Sequence, residues 1–142
     1  MHSIDINPDS QRLFQAGAPM HNYTVCDLTR FDWLENFGYA SCISAGFPCQ
    51  PFSSIGKNRG LLDKRALVLP ALYTYILLFH PKTVTLENVA NFASGGEGLW
   101  RDSVLSFFRS HNYTCHDTIV NGQLLLPQKR KRGLWVAFFW LN

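Results

Sequence analysis

The sequence predicts one α/β domain over residues 1–142, with a mostly parallel sheet that ends in an antiparallel pair of strands. Its composition is 46% hydrophobic, 14% aromatic and 16% charged, which suits a buried core and argues against a disordered chain. Short runs rich in β-forming residues alternate with longer amphipathic stretches, the pattern typical of a parallel sheet with crossover helices. The last two apolar runs are joined by a short polar, basic connection, which favours an antiparallel pair.

The individual elements follow from periodicity and from residues that begin or end helices. The predicted helices are Asp9–Ala16, Phe31–Phe37, Lys64–Phe79 and Leu99–His111. The predicted parallel strands are Tyr23–Cys26, Ser41–Ala45 and Thr83–Leu86. The predicted antiparallel strands are Tyr113–Val120 and Gly133–Leu141. Pro8, Gly38 and Pro81 mark helix ends, and Gly95–Gly98 is expected to be a loop.

Basic residues are clustered although the net charge is only +3. One cluster contains Lys57, Arg59, Lys64 and Arg65, and a second runs from Lys129 to Arg132. Such clusters suit the phosphate backbone of a nucleic acid, and a solvated surface is the alternative explanation.

The cysteines and the apolar runs indicate a protein of a reducing compartment. The four cysteines have no tight paired spacing, and the N-terminus lacks a basic region followed by an apolar stretch. The longest apolar run, Ala66–Phe79, contains Pro70 and is shorter than the roughly 20 residues that span a bilayer. We therefore expect an intracellular protein with no membrane segment, nuclear if eukaryotic and cytoplasmic if bacterial.

The segment Gly46–Ser53 holds one thiol at the carboxyl end of a predicted strand. Pro48 and Pro51 flank the pair Cys49-Gln50 and restrict the backbone on both sides of the thiol. In open α/β sheets the ligand crevice lies at this end of the strands, so Cys49 is placed to face a substrate.

This loop resembles the catalytic motif of cytosine carbon-5 DNA methyltransferases, and other motifs follow in the order of that family. The segment Thr85–Val89 resembles the Glu-Asn-Val motif, and Pro127–Arg132 resembles the Gln-x-Arg-x-Arg motif. Gly60–Arg65 is similar to the connecting motif between them. The resemblance implies a partial Rossmann-like fold that depends on S-adenosyl-L-methionine, with DNA as the partner.

The chemistry of the reaction explains these residue types. Carbon 5 of cytosine is a poor nucleophile, so a thiolate, here Cys49, must first add to carbon 6. A carboxyl group, here Glu87, relieves the charge at ring nitrogen 3. By resemblance, Arg132 contacts the carbonyl oxygen of the base, Asn88 braces the Cys49 loop, and Arg130 supports the pocket or the backbone.

The resemblance also assigns residues to the nucleic acid. The expected substrate and DNA contacts are Gln50, Ser53, Lys57, Arg59 and Gln128. The target base is stacked inside the duplex and must be rotated out. From their charge rather than from the resemblance, Lys57, Arg59 and Lys64 are expected to close on the DNA backbone as a mobile lid.

The expected methyl-donor contacts are Asp5, Asp27 and Pro48. The family places an acid like Asp5 against the ribose hydroxyls and one like Asp27 against the adenine amino group, although Cys26 stands where a glycine is usual. The first strand with its glycine-rich turn, the target-recognition domain and the late C-terminal segment have no counterpart here. We therefore expect the 142-residue chain alone neither to bind the donor tightly nor to methylate DNA.

Three alternative interpretations remain. A tRNA-directed methyltransferase of the same family shares these motifs, but Phe47 and Ser53 favour the DNA-directed form. A noncatalytic nucleic-acid-binding remnant is favoured by the missing segments and opposed by the intact Cys, Glu and Arg motifs. A metal site of His111, Cys115 and His116 is disfavoured because neighbouring strand residues face opposite sides, and no metal is expected.

Overall fold

The computed structural model describes residues 1–30, 33–34, 37–48, 64–124 and 127–140. The chain divides into two compact units, Met1–Gly38 and Tyr39–Asn142, and each unit contains its own sheet. The single domain over residues 1–142 stays a prediction.

The first unit is a parallel strand–helix–strand arrangement. Strand β1 (His2–Asp5) pairs with β2 (Asn22–Val25), and α1 (Pro8–Gly17) connects them. Helix α1 begins at Pro8, one residue before the predicted start, because the side chain of Asn7 accepts the Asp9 amide at 3.0 Å and proline is favoured in the first turn. The predicted helix Phe31–Phe37 falls largely outside the described residues.

The second unit is built on a four-stranded sheet of β3 (Cys42–Gly46), β4 (Thr83–Val89), β5 (Tyr113–Asn121) and β6 (Lys131–Phe139). The strand order is β3-β4-β6-β5. Strand β3 runs parallel to β4, whereas β6 is antiparallel to both β4 and β5. The α/β class with parallel strands and a closing antiparallel pair is confirmed, and β6 enters the sheet between β4 and β5.

Helices α2 (Val68–Phe79), α3 (Ala90–Ser94) and α4 (Leu99–Ser110) complete the second unit. The predicted helix Lys64–Phe79 begins four residues early, because residues 64–67 form a 3-10 turn. Pro70 lies in the first turn of α2, where a missing backbone N–H is tolerated. Helix α3 was not predicted, since five residues are too few to show a helical period.

The core lies on one face of this sheet. Val84 and Leu86 of β4 and Trp135 and Ala137 of β6 are fully buried, and Phe108 of α4 is buried with them. The alternation of β4 leaves Glu87 and Val89 on the opposite, partly exposed face.

Two predicted strand limits need correction, and both matter for function. Strand β4 continues to Val89, so Glu87 lies within the strand rather than at its end, and β6 already begins at Lys131. The pairing of Val89 with Arg132 extends the ladder into the two polar motifs. The charged side chains of Glu87 and Arg132 are accommodated there because they lie on the partly exposed face.

Within the described residues, no helix is long and apolar enough to cross a membrane. The same part of the chain contains no cluster of three potential metal-ligating side chains. Cys115 is buried and its neighbour His116 is exposed, as expected for adjacent residues of β5.

Replacing Gly133 with alanine is expected to destabilise the protein. A Cβ there would lie 2.9 Å from the buried Trp135 ring and 3.5 Å from Ala93 Cβ. Overpacking typically costs about 1–3 kcal/mol, more than the ~0.4–1 kcal/mol that a Gly-to-Ala change gains through the unfolded chain. Urea unfolding of Gly133→Ala should show the loss. Gly38→Ala is the control, because a Cβ added at position 38 would have no described atom within 4 Å. Equal stability of the two variants would contradict the expectation.

Candidate active site

A cavity of about 340 Å³ opens where β3 and β4 end and antiparallel β6 begins. These ends meet at one edge of the sheet because β6 runs opposite to its neighbour. The cavity is lined by Gly46, Phe47, Pro48, Glu87, Asn88, Val89, Arg130 and Arg132. It therefore brings together residues from all three polar motifs of the sequence.

An ion pair joins two of these motifs across the sheet. Arg132 Nε lies 2.6 Å from Glu87 Oε1, and Arg132 also donates from Nη1 to the Lys131 carbonyl at 2.9 Å. The two residues lie on the same face, because Arg132 pairs with Val89, two positions from Glu87. Their side chains are 28% and 34% exposed, so the pair is open to solvent at the cavity.

Asn88 ties the start of the Cys49 loop to strand β4. Its side chain is buried with 2% exposure. Its Nδ2 donates to the Phe47 carbonyl at 3.3 Å, and its Oδ1 accepts the Val89 amide at 2.8 Å. These contacts connect β4 to the described segment that precedes Cys49.

An aromatic cluster supports the same segment from the core side. Phe47 is buried and packs edge-on against Phe92 of α3 at a centroid distance of 5.0 Å. Phe92 packs edge-on against Trp135 of β6 at 5.4 Å. Phe92 was not predicted as a functional residue, because its only signal in the sequence is its place four residues after Asn88, in a helix too short to predict.

The residues expected to face the substrate from the loop itself lie outside the described residues: Cys49, Gln50, Ser53, Lys57 and Arg59. Pro48, which precedes Cys49, is described and forms part of the cavity wall.

Two described cysteines of the second unit are poor candidates for the nucleophile. Burial raises the pKa of Cys115 to about 11, with a smaller contribution from Asp117, so its thiolate is scarce at neutral pH. Cys42 begins β3 and Gly46 ends it, which places their backbones roughly 13 Å apart at ~3.3 Å per residue. Neither residue lines the cavity.

The connection between β5 and β6 delivers Arg130 but not Gln128 to the cavity. The Gly122 amide donates to the Arg130 carbonyl at 2.7 Å, and the Arg130 amide donates to the Gln128 carbonyl at 2.9 Å. Arg130 lines the cavity, whereas Gln128 is exposed and is not among its lining residues.

The first unit brings Asp5 and Asp27 to one edge of its own sheet. Asp5 ends β1, and its carboxylate accepts the Asn7 amide at 2.8 Å. Asp27 follows β2, and its carboxylate accepts the amide and hydroxyl of Thr29 at 2.9 and 2.7 Å. The hydroxyl bond and then the amide bond lower the pKa of Asp27, so it is ionised at neutral pH. Asp27 thus caps the 3-10 turn Leu28–Arg30 that follows it.

Comparison with known proteins identifies the family. Residues 1–139 match the sequence profile described as C-5 cytosine-specific DNA methylase. The chain belongs to this family. Type II methyltransferase M.HhaI of Haemophilus parahaemolyticus is 35% identical over 97 residues, which are 68% of this chain and 30% of that protein. Type II methyltransferase M.DsaV of Dactylococcopsis salina is 28% identical over 137 residues, which are 96% of this chain and 38% of that protein. The chain thus spans about a third of the length of these C-5 cytosine methylase relatives.

Solved structures support the methylase fold. The Entamoeba histolytica methyltransferase EhMeth superposes with a TM-score of 0.78 at 21% identity, covering 98% of this chain and 44% of that one. The S. pombe Dnmt2 methyltransferase superposes with a TM-score of 0.74 at 20% identity, covering 98% of this chain and 43% of that one.

Replacing Asn88 with alanine is expected to lower stability by about 1–3 kcal/mol, because the buried Phe47 carbonyl loses its side-chain donor. Urea unfolding measures the change. Limited proteolysis should also show faster cleavage between residues 47 and 63, since the loop loses its brace. Asn22→Ala, at an exposed position of β2, is the control. Stability and cleavage like those of the control would contradict the brace.

Proposed function

We propose that this chain provides the cytosine-attacking site of a DNA (cytosine-5-)-methyltransferase. The observation that carries the proposal is the Glu87–Arg132 ion pair at a cavity whose wall also contains Pro48, directly before Cys49. Family membership supports the substrate class. The cavity volume, about 340 Å³, lies at the small end of ligand pockets and suits a single base turned out of a duplex.

In the proposed reaction, the Cys49 thiolate forms a bond to carbon 6 of the flipped cytosine. The ring electrons move toward nitrogen 3, where the Glu87 carboxyl group donates a proton or a hydrogen bond. Carbon 5 thereby becomes nucleophilic and would take the methyl group from the donor sulfonium, whose sulfur–methyl bond breaks to leave a neutral thioether. Loss of the carbon 5 proton to water, with return of the nitrogen 3 proton to Glu87, then expels the thiolate and restores the aromatic ring.

The ion pair suggests how two residues share one base. Arg132 holds Glu87 through Nε and Oε1, which leaves the Oε2 side of the carboxylate for nitrogen 3. The same guanidinium carries further N–H donors in a fixed plane, and these can point to the carbonyl oxygen of cytosine. Arg130, two residues before Arg132, also lines this end of the cavity.

Asp5 and Asp27 are proposed as contacts for S-adenosyl-L-methionine, which supplies the methyl group as an electrophilic sulfonium. Both carboxylates lie at the carboxyl ends of neighbouring parallel strands, the usual position of nucleotide-like ligands in α/β sheets. The ionised Asp27 fits an acceptor for an amino or hydroxyl group.

Methyl transfer to nucleic acid tests the proposal. The longest natural protein that contains these 142 residues is incubated with radiolabelled donor and either duplex DNA or tRNA, and labelled carbon 5 is measured. We expect transfer to DNA cytosine, and none from the 142-residue chain in isolation. Transfer to tRNA alone would overturn the DNA assignment, and transfer to neither would favour a noncatalytic remnant.

Replacing Glu87 with glutamine should reduce the methyl-transfer rate by about 10²–10⁴-fold, because the proton donor at nitrogen 3 is lost while the shape is kept. DNA affinity, measured by fluorescence anisotropy, should change little. Glu97→Gln removes a carboxylate that does not line the cavity and should leave the rate unchanged. A rate for Glu87→Gln equal to that of Glu97→Gln would refute the acid role.

Replacing Lys57 and Arg59 together with glutamine is expected to weaken DNA binding and its dependence on salt. If each cation neutralises one phosphate, the slope of log K against log[salt] falls by about 0.9 per residue. Affinities measured between low and moderate salt give this slope. An unchanged affinity and slope would exclude these residues from the DNA contact.

A further inference from the structure

We infer that Gly46 is a positioning residue, and that its lack of a side chain sets where the Glu87 carboxylate lies. The catalytic meaning of this inference rests on the proposed function, whereas its geometric content does not.

The contact follows from the register of two parallel strands. Gly46, the last residue of β3, pairs with Glu87 of β4, and paired residues present their side chains on the same face. A Cβ on Gly46 would lie 3.1 Å from Glu87 Oε2, closer than an ordinary van der Waals contact. The carboxylate therefore leans over the space that a side chain at position 46 would fill.

On the other side, the carboxylate is held by β6. Arg132 Nε is 2.6 Å from Oε1, already at the short end of charge-assisted hydrogen bonds. Gly46 and Arg132 belong to the two strands that flank β4. A carboxylate pushed from the Gly46 side thus cannot move closer to Arg132 and must rotate out of its present plane.

Backbone conformation gives no competing reason for glycine at this position. The φ angle of Gly46 lies outside the left-handed region that favours glycine, so an L residue could adopt its backbone. Glycine within a strand is otherwise unfavourable, because it packs no side chain and gains flexibility in the unfolded chain. Among the described residues beyond its chain neighbours, only the Glu87 side chain has an atom within 4 Å of the added Cβ.

A double-mutant cycle tests the inference in the longest natural protein that contains this chain. The variants are Gly46→Ala, Glu87→Asp and the combination, with Gly38→Ala as the matched control because its added Cβ meets no atom within 4 Å. A shift of a few tenths of an ångström should lower kcat about tenfold, given that a 1 Å misplacement can cost about 10²-fold. KM for DNA should not change, since no DNA-facing cation is altered.

The aspartate background separates direct contact from a general structural effect. Aspartate withdraws the carboxylate by one methylene, so adding the alanine Cβ should change the rate less than about twofold in this background. An equal loss in both backgrounds, or a Gly46→Ala rate equal to that of Gly38→Ala, would overturn the inference.

Crystal structures of the parent and Gly46→Ala provide a readout that does not need activity. We expect the Glu87 carboxylate to rotate and its contact with Arg132 Nε to lengthen. An unmoved carboxylate would overturn the inference. If the parent transfers no methyl group while the carboxylate moves as expected, the proposed function fails and the positioning of Glu87 by Gly46 stands.

Discussion

The pairing of β4 with a parallel strand on one side and an antiparallel strand on the other determines the arrangement of the site. Parallel β3 ends at the cavity edge, so the chain leaves it toward Cys49 at that edge. Antiparallel β6 begins there, so Arg132 arrives from the opposite direction. A third parallel strand in that position would end there instead, and the basic motif before β6 would lie at the far end of the sheet.

Alternate side chains of β4 serve two purposes, because one set packs in the core and the other faces the cavity. Val84 and Leu86 are fully buried on the core face, while Glu87 and Val89 lie on the cavity face. Asn88 is the exception, a polar side chain on the core face. It is tolerated because both of its polar atoms have backbone partners, and one of these is the carbonyl of Phe47. The buried, hydrogen-bonded side-chain amide of Asn88 therefore connects the core to the segment that precedes Cys49.

The sequence predicted the elements that have a clear period or a chemical motif. Helices α1 and α4, the antiparallel pair, and the roles proposed for Glu87 and Arg132 were all accessible this way. The entry of β6 between β4 and β5 was not, since strand order depends on long-range pairing rather than on local pattern. The Gly46 contact was hidden for the same reason, because Gly46 and Glu87, which are 41 positions apart, are brought together only by the β3–β4 register.

The energy of the Glu87–Arg132 pair is better suited to orientation than to stability. Solvent-exposed ion pairs contribute only ~0–1 kcal/mol, and this pair is about a third exposed. A base entering the cavity would displace water and lower the local dielectric, which strengthens the electrostatic interactions among Glu87, Arg132 and the ring. An ion pair that adds little to the free energy of folding can thus contribute most to the reaction, at the step in which the pyrimidine acquires charge. In that setting, small displacements of the carboxylate matter more for rate than for stability, which is why a glycine beside it has a chemical consequence.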